Sequence, residues 1–543
     1  MGKWSALAVL GAAQFLMVLD QAVMNVSITQ LVADFDTTVT VIQMVITFYA
    51  LVMAALMMTG GKLGDIYGRR RVFMVGLVIY AFGSFLTAIS WNVGALLLGW
   101  SILEGIGAAM VLPALAALGA TNYAGRDRAL MYGVLGGVAG AGIAVGPIIG
   151  GAATEYLSWR VVFAGEVILA AAILYGTRVA VSEAPRAEVP PKLDVVGAVL
   201  SLAGMAIFVL GILQASNWGW IHPKNSPIEP FGFSLTPFVV ALGAGILVAF
   251  SAWQGRREEQ GRDPLVHFRL FEIRPVRSGL SALLLQNLIL MGVFFIIPLY
   301  LQIVQGLDAF ETGVRMLPIS ICLVVAALGG ARLSSRFAPR LIVAVGLLVL
   351  VAACLFLIST VEPDLDTASF AFGSALLGLG MGLVASQLGN VLQSAVGDDD
   401  RSEAGALQNT AQQLGSSLGT AFIGAIVITS LGNAFLDNVS DDPRISDQVE
   451  ESAGISVGGG VTFLSADQVE VSASGAGVPD DEVTAIVENY EDAQIQSLKV
   501  GLLIAAGFGL IGLPLIAGLP SKRLEEGEPE EAPTPAPSPV SPT

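Results

Sequence analysis

The amino-acid sequence predicts an all-α integral membrane protein with fourteen transmembrane helices. Three observations carry that expectation. Of the 543 residues, 54% are hydrophobic and 13% charged, about half the charge density of roughly 25% usual in soluble domains. The apolar residues fall into runs of about 20, the length that crosses a bilayer. Lysine and arginine separate between alternate loops. The 63 glycines suit the same class, because helices in lipid approach one another through small residues.

The runs lie near 5–31, 41–62, 72–91, 94–118, 129–152, 160–180, 193–214, 236–254, 277–303, 311–332, 341–360, 368–394, 403–432 and 496–519. The first is too long for a signal peptide, carries Asp20 and has no clear small-residue cleavage site, so it reads as a retained helix. Basic residues bound the others. The second ends at Lys62 and the third opens beyond Arg69 to Arg71; Arg126 and Arg128 separate the fourth and fifth, and Arg178 closes the sixth. Lys192 precedes the seventh, and six arginines at 256–277 follow the eighth. Arg332, Arg336 and Arg340 separate the tenth and eleventh, Arg401 the twelfth and thirteenth, and Lys522 and Arg523 follow the last. With the N-terminus inside, 22 basic residues face the cytoplasm, and five (Arg160, Lys224, Arg315, Arg444 and Lys499) face out. That asymmetry predicts a plasma-membrane protein with both termini cytoplasmic.

The net charge of −17 is local. Residues 433–495 hold fourteen Asp/Glu against Arg444 alone, and the tail 521–543 holds five Glu against two basic residues. Nucleic acid is therefore not an expected partner. Two cysteines exclude a disulfide scaffold, and two histidines argue against histidine-based catalysis or metal binding. Cys322, Cys354, His222 and His267 read as structural.

KLGDIYGRRRVFMVGL at 62–77 aligns with RLSSRFAPRLIVAVGL at 332–347, an internal repeat. Two related six-helix halves follow: an N-terminal bundle at 1–180 and a C-terminal bundle at 277–520. A linker at 181–276 carries two extra helices. The segment 433–495 is expected to be an acidic extracellular loop with a strand near 461–472 and a helix near 480–498. The proline-rich tail 521–543 is expected to be disordered.

Three stretches carry a resemblance. GGKLGDIYGRRR (60–71) looks like the signature loop between helices two and three of the major facilitator superfamily. GAGIAVGPIIGG (140–151) is similar to its antiporter motif, and LDQAVMNVSIT (19–29) resembles a first-helix pattern. ALQNTAQQLGSSLGTAFIG (406–424) is a weaker match. Together they resemble the fourteen-helix drug:proton antiporter family, over residues 1 to 520. The chain has Ala22 and Thr29 where that family has Thr and Pro. It has Ser101-Ile-Leu-Glu104-Gly105 where members usually carry Arg-x-x-Gln-Gly, an arginine tied to proton coupling.

The resemblance implies that Gly61, Lys62, Gly64, Asp65, Gly68, Arg69 and Arg70 form a cytoplasmic latch between the halves. Glycines in this loop allow a tight turn, and Asp65 can pair with the adjacent cations or cap a helix. Gly142, Gly146, Gly150 and Gly151 strip one helix face of side chains, and Pro147 is expected to bend that helix. A smooth face suits helices that slide, but it also suits ordinary small-residue packing.

Asp20, Glu104 and Glu166 are carboxylates inside apolar spans of the N-terminal half. Each must be protonated, wetted or paired, because a charge at mid-membrane costs about 2.5–3.5 kcal/mol. No Lys or Arg lies at comparable depth there, so reversible protonation follows; in the fold the resemblance implies, Asp20 and Glu104 share a cavity as a coupled pair, and Glu166 is open between a site residue and one near the outer surface. Asn25, Gln286, Asn287, Phe294, Asn409 and Gln412 are candidates to line a substrate cavity, with interhelical hydrogen bonding as the alternative.

The expected function is proton-coupled efflux of amphipathic or cationic small molecules. No enzyme site, metal or cofactor is expected, and the proton gradient supplies the energy to what is expected to be a monomer. Rival readings are an exporter of an endogenous lipid or metabolite, and a non-transporting sensor or scaffold that uses the acidic loop.

Overall fold

The computed structural model describes residues 4–123, 125–183, 192–397, 400–446, 448–449 and 463–522. Among the described residues, fourteen helices are long and apolar enough to span a membrane: α1 (Ser5–Val26), α2 (Val39–Tyr67), α3 (Arg69–Ala88), α4 (Val93–Gly119), α5 (Val134–Tyr156), α6 (Trp159–Ala180), α7 (Val195–Leu213), α8 (Thr236–Glu259), α9 (Arg274–Val304), α10 (Ala309–Gly330), α11 (Pro339–Ile358), α12 (Thr367–Ser394), α13 (Glu403–Asp441) and α14 (Asp480–Gly518). Only helices close every backbone hydrogen bond within the segment, which suits a chain surrounded by lipid. Among the described residues there is no strand.

The helices start where side chains can cap them. Thr38 accepts from the Val41 N–H, Asn92 from Ala95, Asp308 from Glu311 and Asp366 from Ala368. Each such cap is worth about 1 kcal/mol. Between α2 and α3 the chain turns at Gly68, whose φ of 98° lies where a side chain would be strained.

In the N-terminal half α1 packs on α4, α5 and α6, while α4 packs on α2 and α3 and α3 also meets α6. In the C-terminal half α9 packs on α13 and α14, α12 on α10 and α11, and α14 on α11 and α13. The halves meet along two helix pairs, α2 with α13 and α5 with α10. In the sequence repeat α2 corresponds to α10 and α5 to α13, so the two seams are related by the exchange of the halves. The inserted pair α7–α8 leans on this framework through α7, whose Val209, Ile212 and Leu213 form one apolar cluster with Leu51 of α2 and Ala421 of α13. At the other end of the insert, buried Asp194 accepts from Gly197 N–H (3.0 Å), Trp253 Nε1 (3.1 Å) and Gln254 Nε2 (2.8 Å), and Arg257 stands 3.5 Å away.

The acidic segment differs from the sequence expectation. α13 continues to Asp441 and α14 begins at Asp480, so both ends of 433–495 are helical extensions rather than loop. The strand expected near 461–472 is replaced by a helix at Ala466–Gly475, opened by a capping box between Ser465 and Gln468. The helix expected near 480–498 is continuous with the last span. Arg444 bridges Asp442 (2.8 Å) and Glu488 (2.7 Å), and Asn489 Nδ2 donates to Asp442 (2.8 Å). Hydrogen bonds from Arg444 and Asn489 hold the Asp442 carboxyl far below its ordinary range. The tail predicted to be disordered lies, after Lys522, outside the described residues.

Candidate functional site

The three carboxylates predicted from three separate helices converge in one place. Asp20 (α1), Glu104 (α4) and Glu166 (α6) each offer an oxygen within 4.8 Å of the other two, and all three are at most 2% exposed. Glu166 is therefore deep in the bundle, not near the outer surface. It lies more than one turn inside its helix, on the buried face shared with Ala170 and Ile173.

Local sequence explains the convergence. The Leu97–Glu104 stretch of α4 is π-helical, which widens the turn that ends on Glu104. α3 approaches α4 with no side chains between the backbones. A Cβ at Gly83 would lie 2.7 Å from Glu104 Cγ, and one at Gly99 would lie 2.8 Å from the Thr87 backbone nitrogen. That close approach places α3 donors on the acids. Thr87 Oγ1 donates to Glu104 Oε1 (3.0 Å), while Tyr80 OH and Ser84 Oγ donate to Glu166 Oε2 (2.9 and 3.3 Å). Trp100 Nε1 donates to Asp20 Oδ1 (2.8 Å), and the indole stacks on Tyr49 of α2 with centroids 4.7 Å apart. One oxygen of each acid is thus fixed. The others (Asp20 Oδ2, Glu104 Oε2 and Glu166 Oε1) are buried without a hydrogen-bond partner.

No basic side chain pairs with these acids among the described residues. Ser101 stands where the resemblance would put an arginine, and its hydroxyl donates to the Val45 carbonyl (2.7 Å). Three ionised carboxylates cannot share a dry pocket. The pocket must hold protons, or a cation, in their place.

The glycine motif of α5 works on two faces. A side chain at Gly142 would meet Val18, one at Gly146 would fall on Ala22 Cβ, and one at Gly150 would reach the Val23 backbone. On the other face, a Cβ at Gly151 would strike the Ala309 carbonyl of α10, and one at Gly313 the Pro147 carbonyl. Hence α5 contacts α1, which carries Asp20, and the opposite half at once. The helix runs through Pro147 without interruption.

At the end opposite the termini, further contacts close the seam. Gln43 Nε2 donates to the Thr420 carbonyl (2.6 Å), Ser417 Oγ to Thr47 (3.2 Å) and Gln302 Nε2 to Val26 (2.9 Å), and Thr29 pairs with Gln302. Towards the termini, open space surrounds Gly136 and Gly137 of α5.

In the stretch 60–71, Asp65, Arg69 and Arg70 make polar contacts within their own half. Asp65 pairs with Arg69 (3.2 Å) rather than capping another helix. Arg70 donates from its backbone N–H to Glu183 (3.0 Å) and from Nη2 to the Arg178 carbonyl (2.7 Å). Half-buried Lys62 and buried Gly64 lie in the last turns of α2, which runs on to Tyr67, so the turn itself is confined to Gly68. The loop approaches the other half at Gly61, where a side chain would meet Ala406 of α13.

The predicted cavity residues do not form one wall. Gln286 spends Nε2 on the Met381 carbonyl of α12 (3.0 Å), so it ties two helices together. Asn25 and Asn287 donate to carbonyls one turn back, those of Gln21 and Leu283 (both 3.0 Å). Phe294 is 1% exposed and belongs to the core. Asn409 and Gln412 are half-buried on α13.

Sequence reasoning missed Trp100, Tyr80 and Thr87, which hold the acids, because each reads as an ordinary apolar or small residue of its span. It also missed a clamp at the end opposite the termini. There Asp34 accepts from Trp159 Nε1 (2.8 Å) and Arg160 Nη1 (2.7 Å), and Arg160 reaches the Ser90 carbonyl (3.1 Å). Burial alone would raise the Asp34 carboxyl, but hydrogen bonds from Trp159, Gln30 and Arg160 and the arginine charge pull it below its ordinary range.

The profile of the Major Facilitator Superfamily matches residues 10–420. A tetracenomycin C resistance and export protein of Streptomyces glaucescens is 28% identical over 537 residues, 98% of this chain and 94% of that one. A puromycin resistance protein of Streptomyces alboniger is 32% identical over 78% of this chain and 82% of its own. A multidrug efflux pump of Mycolicibacterium smegmatis is 29% identical over 84% and 86%. Among solved structures, a bacterial homologue of the human lysosomal transporter Spinster, inward-facing and unoccupied, superposes with a TM-score of 0.62 over 95% of this chain and 97% of that one, at 17% identity. With fourteen apolar helices in two facing halves and a family match over most of its length, this multi-pass membrane protein belongs to the major facilitator superfamily.

Proposed function

We propose that the protein exports amphipathic or cationic small molecules across the plasma membrane in exchange for protons. The observation that carries this reading is the pocket of three buried carboxylates with no basic partner. Relatives named for antibiotic resistance and export, or for multidrug efflux, support the substrate class. A pocket that must be neutral to persist in low dielectric takes up protons from one side. It gives them up when water or a cationic substrate reaches it from the other. Titration belongs to the three groups jointly, because each acid's charge acts on its neighbours.

Movement between the two openings is assigned to the seams. The α5–α10 and α2–α13 contacts close the extracellular side, and both termini lie in the cytoplasm. The loop at 60–71 is the cytoplasmic latch; its Asp65–Arg69 ion pair, made within its own half, suits a form in which the outer side is shut and the latch disengaged. The bundles at 1–180 and 277–520 move as units, with 181–276 as an insert, and a monomer suffices. No cofactor is required.

The test is export by the purified protein in proteoliposomes with an imposed pH gradient and a panel of cationic, neutral and anionic amphipaths. Gradient-dependent accumulation of cationic substrates that collapses with a protonophore is the expected result. Transport that ignores the gradient overturns proton exchange. Transport confined to one metabolite or lipid favours the endogenous-product reading, which the antibiotic-export relatives also support.

A further inference from the structure

We propose that the Asp20–Glu104–Glu166 pocket also binds a hard monovalent cation of Na+ size, which enters in exchange for a proton. This rests on the reading of the pocket as the coupling site and adds a second ion to it.

The geometry fits a single ion. Oxygens of all three acids lie within 4.8 Å of one another. Hard cations sit about 2.3–2.6 Å from oxygen ligands, so two opposed ligands are separated by roughly 4.6–5.2 Å. An ion among the three acids therefore reaches each of them. Independently of this clustering, Asp20 Oδ2, Glu104 Oε2 and Glu166 Oε1 are buried and unpartnered. Their sister oxygens are already held by Trp100, Thr87 and Tyr80. The donors orient the acids and leave one open ligand atom on each, the arrangement that outer-shell hydrogen bonds give to ligating carboxylates.

The donor set chooses the ion. With oxygen alone, and neither histidine nor cysteine, it suits hard cations rather than zinc or copper. Ca2+ would require two of the three acids to be ionised in low dielectric for neutrality, whereas Na+ requires one. One Na+ with two acids still protonated is electrically neutral, the state a membrane interior tolerates. Around the acids stand Tyr49 of α2, Tyr80, Ser84 and Thr87 of α3, and Trp100 of α4, and no basic group pairs with them among the described residues. Binding is a balanced exchange: one Na+ enters, one proton leaves for solvent, and the net charge of the pocket is unchanged.

The test uses the purified full chain in detergent. NaCl is titrated against choline chloride at constant ionic strength, and tryptophan emission (Trp100 touches Asp20) and melting temperature are read at pH 8 and pH 7. A saturable response in both readouts is expected, with apparent affinity about tenfold weaker at pH 7, as displacement of one proton requires. Glu104→Gln should abolish it, and Asp20→Asn provides a second variant should the first fail to fold. No Na+ response, an undiminished response in folded variants, or a response to Ca2+ but not Na+ overturns the proposal. Transport separates it from the proton reading. If a pH gradient drives export in Na+-free medium and Na+ does not bind, only this inference falls. If Na+ binds but the pH gradient drives nothing, the proton reading falls and the cation site stands.

Discussion

Ala22 of α1 and Gly146 of α5 occupy a single space: a side chain at position 146 would fall on the Ala22 Cβ. The small residue on α1 and the missing one on α5 are complementary halves of one contact. It sits about half a turn from Asp20, so movement of α5 against α1 here reaches the acid pocket.

Gly146→Val should therefore push the helices apart, at about 1–3 kcal/mol of overpacking. Ala22→Gly in the same chain should return part of that loss. By contrast, Gly136→Ala enters open space and should be neutral or slightly stabilising, since alanine favours helix by about 1 kcal/mol. Melting temperatures of the four purified proteins check the series; equal loss in Gly136→Ala and Gly146→Val would remove the packing explanation.

The Asp34 clamp predicts a pH dependence of definite sign. Its carboxyl titrates lower in the folded protein than in the unfolded chain, so its contribution is fully present above the unfolded value near 3.9. That contribution disappears as pH falls through the lower folded value. Asp34→Asn should cost about 1–3 kcal/mol at neutral pH. Its deficit against wild type should be constant from pH 8 to 5 and shrink only below about pH 4. Melting curves across that range decide it, and a deficit that grows on acidification would contradict the clamp.

The close approach of Gly151 to the Ala309 backbone predicts that the outer seam can be wedged open. A side chain at 151 has no space against that carbonyl, so Gly151→Val should prevent closure and stop export in a protein that still inserts and folds. Export in proteoliposomes, with melting temperature as the folding control, checks it. Folded Gly151→Val that exports at the wild-type rate would show that α5 and α10 need not meet during the cycle.

Architecture was legible in the sequence because span length, basic loops and glycine-rich seams are local signals. Asp20, Glu104 and Glu166 were legible too, since an acid in an apolar run stands out whatever it touches. A cavity shared by Asp20 and Glu104 was expected from the fold the sequence resembles, but Glu166 joining them was not, nor the way they are held: that depends on the π-helical turn before Glu104 and on Gly83 and Gly99 letting α3 descend onto α4, which no periodicity reveals. Gln286 and Phe294 were ambiguous as cavity residues for the converse reason. A polar or aromatic residue at helical spacing looks the same whether it faces a substrate or, like Gln286, a neighbouring carbonyl. In the acidic segment the helix that begins at Asp480 was legible, since Asp480, Asp481 and Glu482 suit a helix N-terminus, whereas the helix at Ala466–Gly475 was not, because Val469 and Val471 alternate as in a strand.

The central claim is that the three buried acids exchange protons as one unit. Proton release on substrate addition, measured with a pH indicator on concentrated, weakly buffered protein, tests it most directly. Wild type should release protons in proportion to substrate bound. Asp20→Asn, Glu104→Gln and Glu166→Gln should each change both the number released and the pH at which release is half-maximal, while remaining folded and substrate-binding. Release identical to wild type in all three folded variants would contradict the account.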